Sequence, residues 1–256
     1  MTDIFESSKL RLSRAKEHIL AFEERKKAFL KAKEWTDIIE RDAQGVNDLH
    51  KVRFLKPFPN EFALIATEAI EHLRASLDHA AYAVAVASRI TNPKSAYFPF
   101  AQDAGGLQSV IKGRCKDIPP DIVTLFCSFQ PYKGGNALLY ALHSVCIANK
   151  HRELTQIDII PDITINSIQA TNIYGPVRVT VPQLVWDRRN NEIIYMIVPA
   201  NPTPFTDTDI VITLHIAFDE IIGGKTALAV LNDMAGIVER ILLATEAEAR
   251  RIGLIA

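Results

Sequence analysis

The stretch EFALIATEAIEHLRASLDHAAYAVAVASRI, residues 61–90, decides the fold. Its apolar residues Phe62, Ile65, Ala69, Leu73, Leu77, Ala80, Val84 and Ala87 recur three or four positions apart, the period of one helix face, and Asn60 stands where a capping side chain belongs. A helix over these residues spans roughly 45 Å at about 1.5 Å per residue, long enough to be the central member of a bundle. Asp78, His79 and Arg89 interrupt its most apolar part, which therefore reads as a buried helix and not a bilayer span.

Upstream, Phe5 to Asp42 is rich in Glu, Lys, Arg and Ala and predicts one long helix or two nearly continuous ones, stopped by Gly45, with Ile19, Phe22, Phe29 and Leu30 turned inward. The Arg25–Lys26–Lys27 run reads as a solvated face. Leu49, Val52, Phe54 and Leu55 suggest a short strand near 46–56. Downstream, Asn92–Pro93–Lys94 stops the central helix. A connecting excursion with short helical pieces follows to Gln130, and another helix runs from Asn136 to about Arg152.

After Glu153 the pattern changes to short segments rich in Ile, Val and Thr, such as EIIYMIVPA at 192–200 and DIVITLHIAF at 209–218, separated by turn residues. The DRRNN run at 187–191 suits a hairpin, and the short spacing favours antiparallel pairing. A helical pattern returns from Lys225 to Arg251. The fold class expected is α+β: a mainly helical bundle with a substantial antiparallel β region. The parts are 1–152 (helical core with the short strand), 153–222 (β region) and 223–256 (a helix packing back on the same unit).

At 256 residues, 48% hydrophobic and 23% charged, the chain builds a sizeable core without metal or disulfide support. The net charge of -1 gives no global attraction to nucleic acid or an anionic membrane. The start of the chain lacks the pattern of a secretory leader, and Cys115, Cys127 and Cys146 form no close pair, so a cytoplasmic protein with reduced thiols and no membrane association is expected. Cys115 sits between Arg114 and Lys116, which tend to lower a thiol pKa. The GGKT run at 223–226 lacks the spacing of a phosphate-binding loop and reads as a helix start.

Chemistry concentrates in two places. The central helix carries Glu68, Glu71, His72, Arg74, Asp78 and His79, with Arg74 and Asp78 four residues apart on one face and His72 and His79 nearly aligned after two turns. The other is Asn149–Lys150–His151–Arg152 at a helix end, where cations attract an anion or simply favour the helix dipole.

LRASLDH at 73–79 and NKHR at 149–152, with QPY at 130–132, resemble a family of largely uncharacterised bacterial and phage proteins bearing LRxxLDH and NxxKHR motifs. The second match is partial, because Asn149 directly precedes Lys150. The Arg74–His79 spacing also resembles the R-x4-H arrangement of the higher-eukaryote-and-prokaryote nucleotide-binding (HEPN) helical superfamily, some of whose members cleave RNA, although Ala75 follows the arginine here. The resemblance implies that Arg74 binds phosphate and His79 transfers a proton.

The enzyme reading is accordingly a metal-independent, RNA-directed phosphodiesterase without cofactor, with Arg74, Asp78, His79 and His151 as catalytic candidates. Asn149, Lys150, Arg152, Tyr82 and Tyr132 are the substrate-binding candidates. A homodimer that brings two central helices together would complete a composite cleft. One rival is a non-enzymatic scaffold or regulator that binds nucleic acid or protein. The other is a metal enzyme drawing on Glu68, Glu71, His72, His79, His143 and His151, although no ligand motif supports a metal site.

Overall fold

A computed structural model describes residues 3–57, 59–151, 159–169, 180, 186–187, 189–200, 207–216 and 225–255. The fold is mixed α+β, with a dominant helical part and a four-stranded antiparallel sheet. It divides into two compact units: residues 1–23, 62–158 and 218–256 form the first, and residues 24–61 and 159–217 the second.

The first unit is helical. It contains most of α1 (Glu6–Ala32), α2 (Glu61–Ala87), α3 (Leu107–Arg114), α4 (Pro120–Ser128), α5 (Ala137–His151) and α6 (Ala227–Arg251). Phe5 and, along α1, Ser8, Leu12, Ala15, Ile19 and Phe22 are all buried, alternating in steps of three and four that keep one stripe inward. They run antiparallel to α2, because residues early in α1 pair with residues late in α2. At the crossing Ser8 Oγ donates to Ser76 O at 2.7 Å and Ser76 Oγ donates to Ser8 O at 2.9 Å. Two small side chains let the backbones approach closely while leaving neither hydroxyl unsatisfied.

Helix α6 buries Val230, Leu231, Met234, Ile237, Val238, Ile241 and Leu242, and Thr226 Oγ1 caps it by accepting from Ala229 N. Lys16–Glu239 and Lys9–Glu246 ion pairs tie α1 to α6 at 2.7 and 2.9 Å. Helix α2 ends as the chain turns left-handed at Arg89, with the Ile90 N–H bonded back to Ala85 O and that of Arg89 to Val86 O.

The second unit contains β1 (Trp35–Arg41), β2 (Asn47–Phe54), β3 (Ile159–Gln169), β4 (Trp186–Asp187), β5 (Glu192–Pro199) and β6 (Asp207–Ile216). Its four-stranded sheet has the order β1-β2-β5-β4, and β3 pairs with β6 separately. Glu40, Lys51, Arg53 and Glu192, from three neighbouring strands, form a ladder of ion pairs at 2.8–2.9 Å. The 187–191 hairpin is present: Trp186 pairs with Ile193 and Asp187 with Glu192. Asp187 Oδ1 accepts from the Arg189 and Asn190 N–H groups to form the turn.

One predicted helix is corrected. Helix α1 stops at Ala32, Lys33 turns left-handed, and Trp35–Arg41 is a strand in full register with β2 from Trp35↔Phe54 to Arg41↔Asp48. The Glu, Arg and Asp content had masked a Trp-Thr-Asp-Ile-Ile core of β-favouring residues, and pairing with β2 outweighs weak helix propensity. Gly45 therefore ends no helix. It sits at φ 73° in the hairpin turn, where its N–H bonds to Asp42 O.

Candidate functional site

The side of α2 that faces away from its buried stripe borders two clefts in the first unit, and the antiparallel course of α1 supplies the opposite wall. Ser7, Arg11, Arg14 and His18 lie four, three and four positions apart on α1, a single helical stripe. On α2 the matching stripe is Glu68, His72, Ala75 and His79. Three contacts join them: Ser7 Oγ to His79 Nδ1 at 2.8 Å, Arg11 Nη1 to His72 Nδ1 at 3.3 Å, and His18 Nδ1 to Glu68 Oε2 at 3.2 Å.

The larger cleft, about 730 Å³, is mainly apolar and is lined by Ala75, His79, Tyr82 and Val86 of α2, by Ile4 and Ser7, and by Pro93, Ala96 and Tyr97. Asp78 is the carboxylate in its lining, which contains no lysine or arginine among the described residues. Tyr82, Val86 and Tyr97 are 47%, 47% and 44% exposed, high values for large apolar groups in one place.

The 93–98 wall is held from several sides. Asp78 Oδ1 accepts from the Phe98 N–H at 3.0 Å, Asp117 Oδ2 accepts from the Lys94 and Ser95 N–H groups at 2.8 Å, and Tyr97 N–H bonds to Arg114 O. The cleft is thus built into the fold. Burial, then the nearby Arg11 guanidinium, hold His79 below the usual imidazole range, against the opposing pull of Asp78. At neutral pH its ring is uncharged.

The second cleft, about 480 Å³, is polar, and its lining includes Arg11, Arg14, His18, Glu68, Glu71, His72 and Arg74. The His18 and His72 rings stack with centroids 5.4 Å apart and planes at 15°. Burial holds His72 low, reinforced by Arg11, His18 and Arg14.

Arg74 is held by two neighbours, although its buried Nη1 meets no acceptor at hydrogen-bond geometry among the described residues. It is ion-paired with Asp78 one turn on, and its guanidinium lies 4.2 Å from the centroid of Phe100, whose opposite partner in a 4.6 Å parallel stack is the His143 ring. Its side chain is 13% exposed. Arg74 lines the polar cleft and His79 the apolar one, so the R-x4-H pair does not share a cavity within this chain. His72 and His79, aligned after two turns, likewise open to different clefts.

Tyr82 lines the apolar cleft. Tyr132 lines neither; it sits in the 130–136 turn before α5, where a Cβ on Gly135 would meet its ring at 2.8 Å and Gln130 O at 2.5 Å. His151 is the last residue of α5, but its side chain and those of Asn149 and Lys150 lie outside the described residues, as does the whole of Arg152.

Among the described residues no group of three His, Cys, Asp or Glu side chains is placed to hold a metal ion, and no helix is long and apolar enough to cross a membrane. Cys115 is not activated by its basic neighbours: it is buried, donates to Tyr97 O at 3.3 Å, and burial pushes its thiol up to about 12.

Sequence reasoning passed over Ser7, Arg11, Arg14, His18, Tyr97 and Phe100. The only signal was the 7-11-14-18 spacing on α1, and it acquires meaning once α2 is known to lie against it. Comparison of the chain with family models, with curated proteins and with solved structures found no match.

Proposed function

We propose that this chain is a non-enzymatic scaffold or regulator that works through protein contact, with the apolar cleft beside α2 as its recognition surface and a second copy of the chain as its occupant. The observation that carries this reading is the exposed apolar stripe of Tyr82, Val86 and Tyr97 over a cleft with no lysine or arginine among its described lining residues. Among the described lining residues a polynucleotide would find no lysine or arginine, with the Arg11 guanidinium only near His79, and phosphate neutralisation supplies a large share of the affinity of such complexes. Protein contact, by contrast, gains from burying aromatic and aliphatic surface.

The second-copy assignment rests on symmetry. In a two-fold pair the same face serves both partners and groups on the axis meet their own copies, so a self-complementary face must avoid uncompensated charge there. Here Asp78 is already paired with Arg74, and the remaining α2 positions on the stripe, at 75, 79, 82 and 86, are spaced as in helix–helix seams. A cytoplasmic setting belongs to the same proposal, supported by three cysteines of which none is in a disulfide.

The phosphodiesterase reading needs Arg74 on phosphate and His79 on the reacting hydroxyl. It has less support, because Arg74 is engaged by Asp78 and Phe100 and opens to the other cleft. Sedimentation velocity on the wild type and on Val86→Lys tests the proposal, since lysine is well tolerated near a helix C-terminus but repels itself across a two-fold axis. The wild type is expected to sediment as a dimer and the variant as a folded monomer. A wild type that stays monomeric at every concentration, or RNA cleavage that a folded His79→Ala variant loses, would overturn it.

A further inference from the structure

The polar cleft contains a second arrangement with its own chemistry. Arginine carries no acceptor, so its 3.3 Å contact to His72 Nδ1 requires that nitrogen to be the acceptor and places the ring proton on Nε2. A carboxylate carries no donor, so the Glu68 carboxylate 3.2 Å from His18 Nδ1 favours a proton on that nitrogen. Two stacked imidazoles in one cleft therefore meet opposite partners, His72 a guanidinium and His18 a carboxylate.

The charges around them narrow the ligand. Arg74 and Asp78 neutralise each other, and Glu68 is turned to His18. Arg11 and Arg14 are exposed on the α1 stripe, Arg14 with only a surface partner in Glu17. Exposed Glu71 on α2 is the remaining carboxylate in the lining. Two guanidinium groups and an imidazole N–H call for acceptor oxygens carrying negative charge. A nearby carboxylate, Glu71, calls for a hydroxyl on the same group and disfavours full ionisation.

We infer that the cleft between α1 and α2 is a binding site for a hydrogen-bearing phosphate group, free or as a monoester, with Arg11, Arg14 and His72 holding its oxygens beside the Glu71 carboxylate. The site adjoins the apolar recognition surface through Ala75 and Asp78, but the assignment does not depend on that surface. A cavity of about 480 Å³ accommodates the group and leaves space for an attached sugar.

The test is an NMR titration of the full chain that follows the ring Cε1–H signals of His18 and His72, with His143 as an internal control. Inorganic phosphate and ribose 5-phosphate are added in separate arms, against sodium chloride at matched ionic strength. Saturable shifts of His18 and His72 in either phosphate arm, absent with chloride and absent at His143, are expected, and the tighter arm identifies the source of the group. Arg11→Gln/Arg14→Gln, both exposed and so compatible with folding, is expected to weaken binding about tenfold or more. Shifts that do not saturate in either arm, or saturation unchanged in the double variant, would overturn the assignment.

Discussion

Replacing Arg74 by Ala separates a structural arginine from a ligand-binding one. The guanidinium makes two contacts that alanine loses: a part-buried ion pair with Asp78 and a cation–π contact with Phe100 at 4.2 Å. Removing one partner of a part-buried ion pair costs about 1.5–3 kcal/mol, between exposed and fully buried pairs, and losing a cation–π contact about 0.5–2 kcal/mol. Because Asp78 keeps its bond from the Phe98 N–H, the loss lies toward the low end, about 2–3 kcal/mol. For a chain of this size that corresponds to a fall in Tm of about 4–8 °C.

Calorimetry on Arg74→Ala, Phe100→Leu and the double variant measures this. The expected coupling between the two sites is about 1 kcal/mol. Arg74→Lys, which keeps the charge but loses the flat stacking surface, should fall between wild type and alanine. An Arg74→Ala protein within about 0.5 kcal/mol of wild type would refute the reasoning and return Arg74 to the pool of groups available for a ligand.

Three further outcomes are expected. Gly135→Ala should destabilise by about 1–3 kcal/mol, because a Cβ would stand 2.5 Å from Gln130 O and 2.8 Å from the Tyr132 ring; an unchanged melting temperature would show that the turn relaxes freely. His50, His72 and His79 are all held below the ordinary imidazole value by burial, so the unfolded chain takes up protons first. Stability should therefore fall as pH drops through about 6.5, and His72→Gln/His79→Gln should flatten the melting curve series between pH 7.5 and 5.5; an unaltered slope would count against it. Cys115, pushed up to about 12, should be roughly 10⁻⁴ thiolate at pH 8 and label far more slowly in the native protein than after denaturation, as mass spectrometry of the labelled peptides would show; equal rates would contradict its burial.

Much of the fold was legible because its strongest elements carry their own period. The α2 stripe from Phe62 to Val84 and the α6 stripe from Val230 to Leu242 need only counting, and the 187–191 turn announces its hairpin through Asp and Asn. Residues 35–41 were not legible, because whether Trp-Thr-Asp-Ile-Ile-Glu-Arg is helix or strand is settled by Asn47–Phe54 lying beside it. The candidate site divides in the same way. The Arg74–Asp78 pair follows from their spacing, and the structure contains it. What could not be read is that Phe100 and His143 complete that pair, or that Ser7, Arg11 and His18 meet α2 at all. Those contacts join positions 50 to 72 residues apart, where local pattern carries no information.

The most direct test of the account asks what covers the apolar cleft. A photoreactive benzophenone amino acid in place of Val86, with Leu243 on the exposed face of α6 as control site, would be irradiated in cells making the protein. The account predicts a product of twice the 28.5 kDa chain mass from position 86, containing only this chain, and little or none from position 243. Equal yields from the two sites, or position 86 reacting only with RNA, would contradict it.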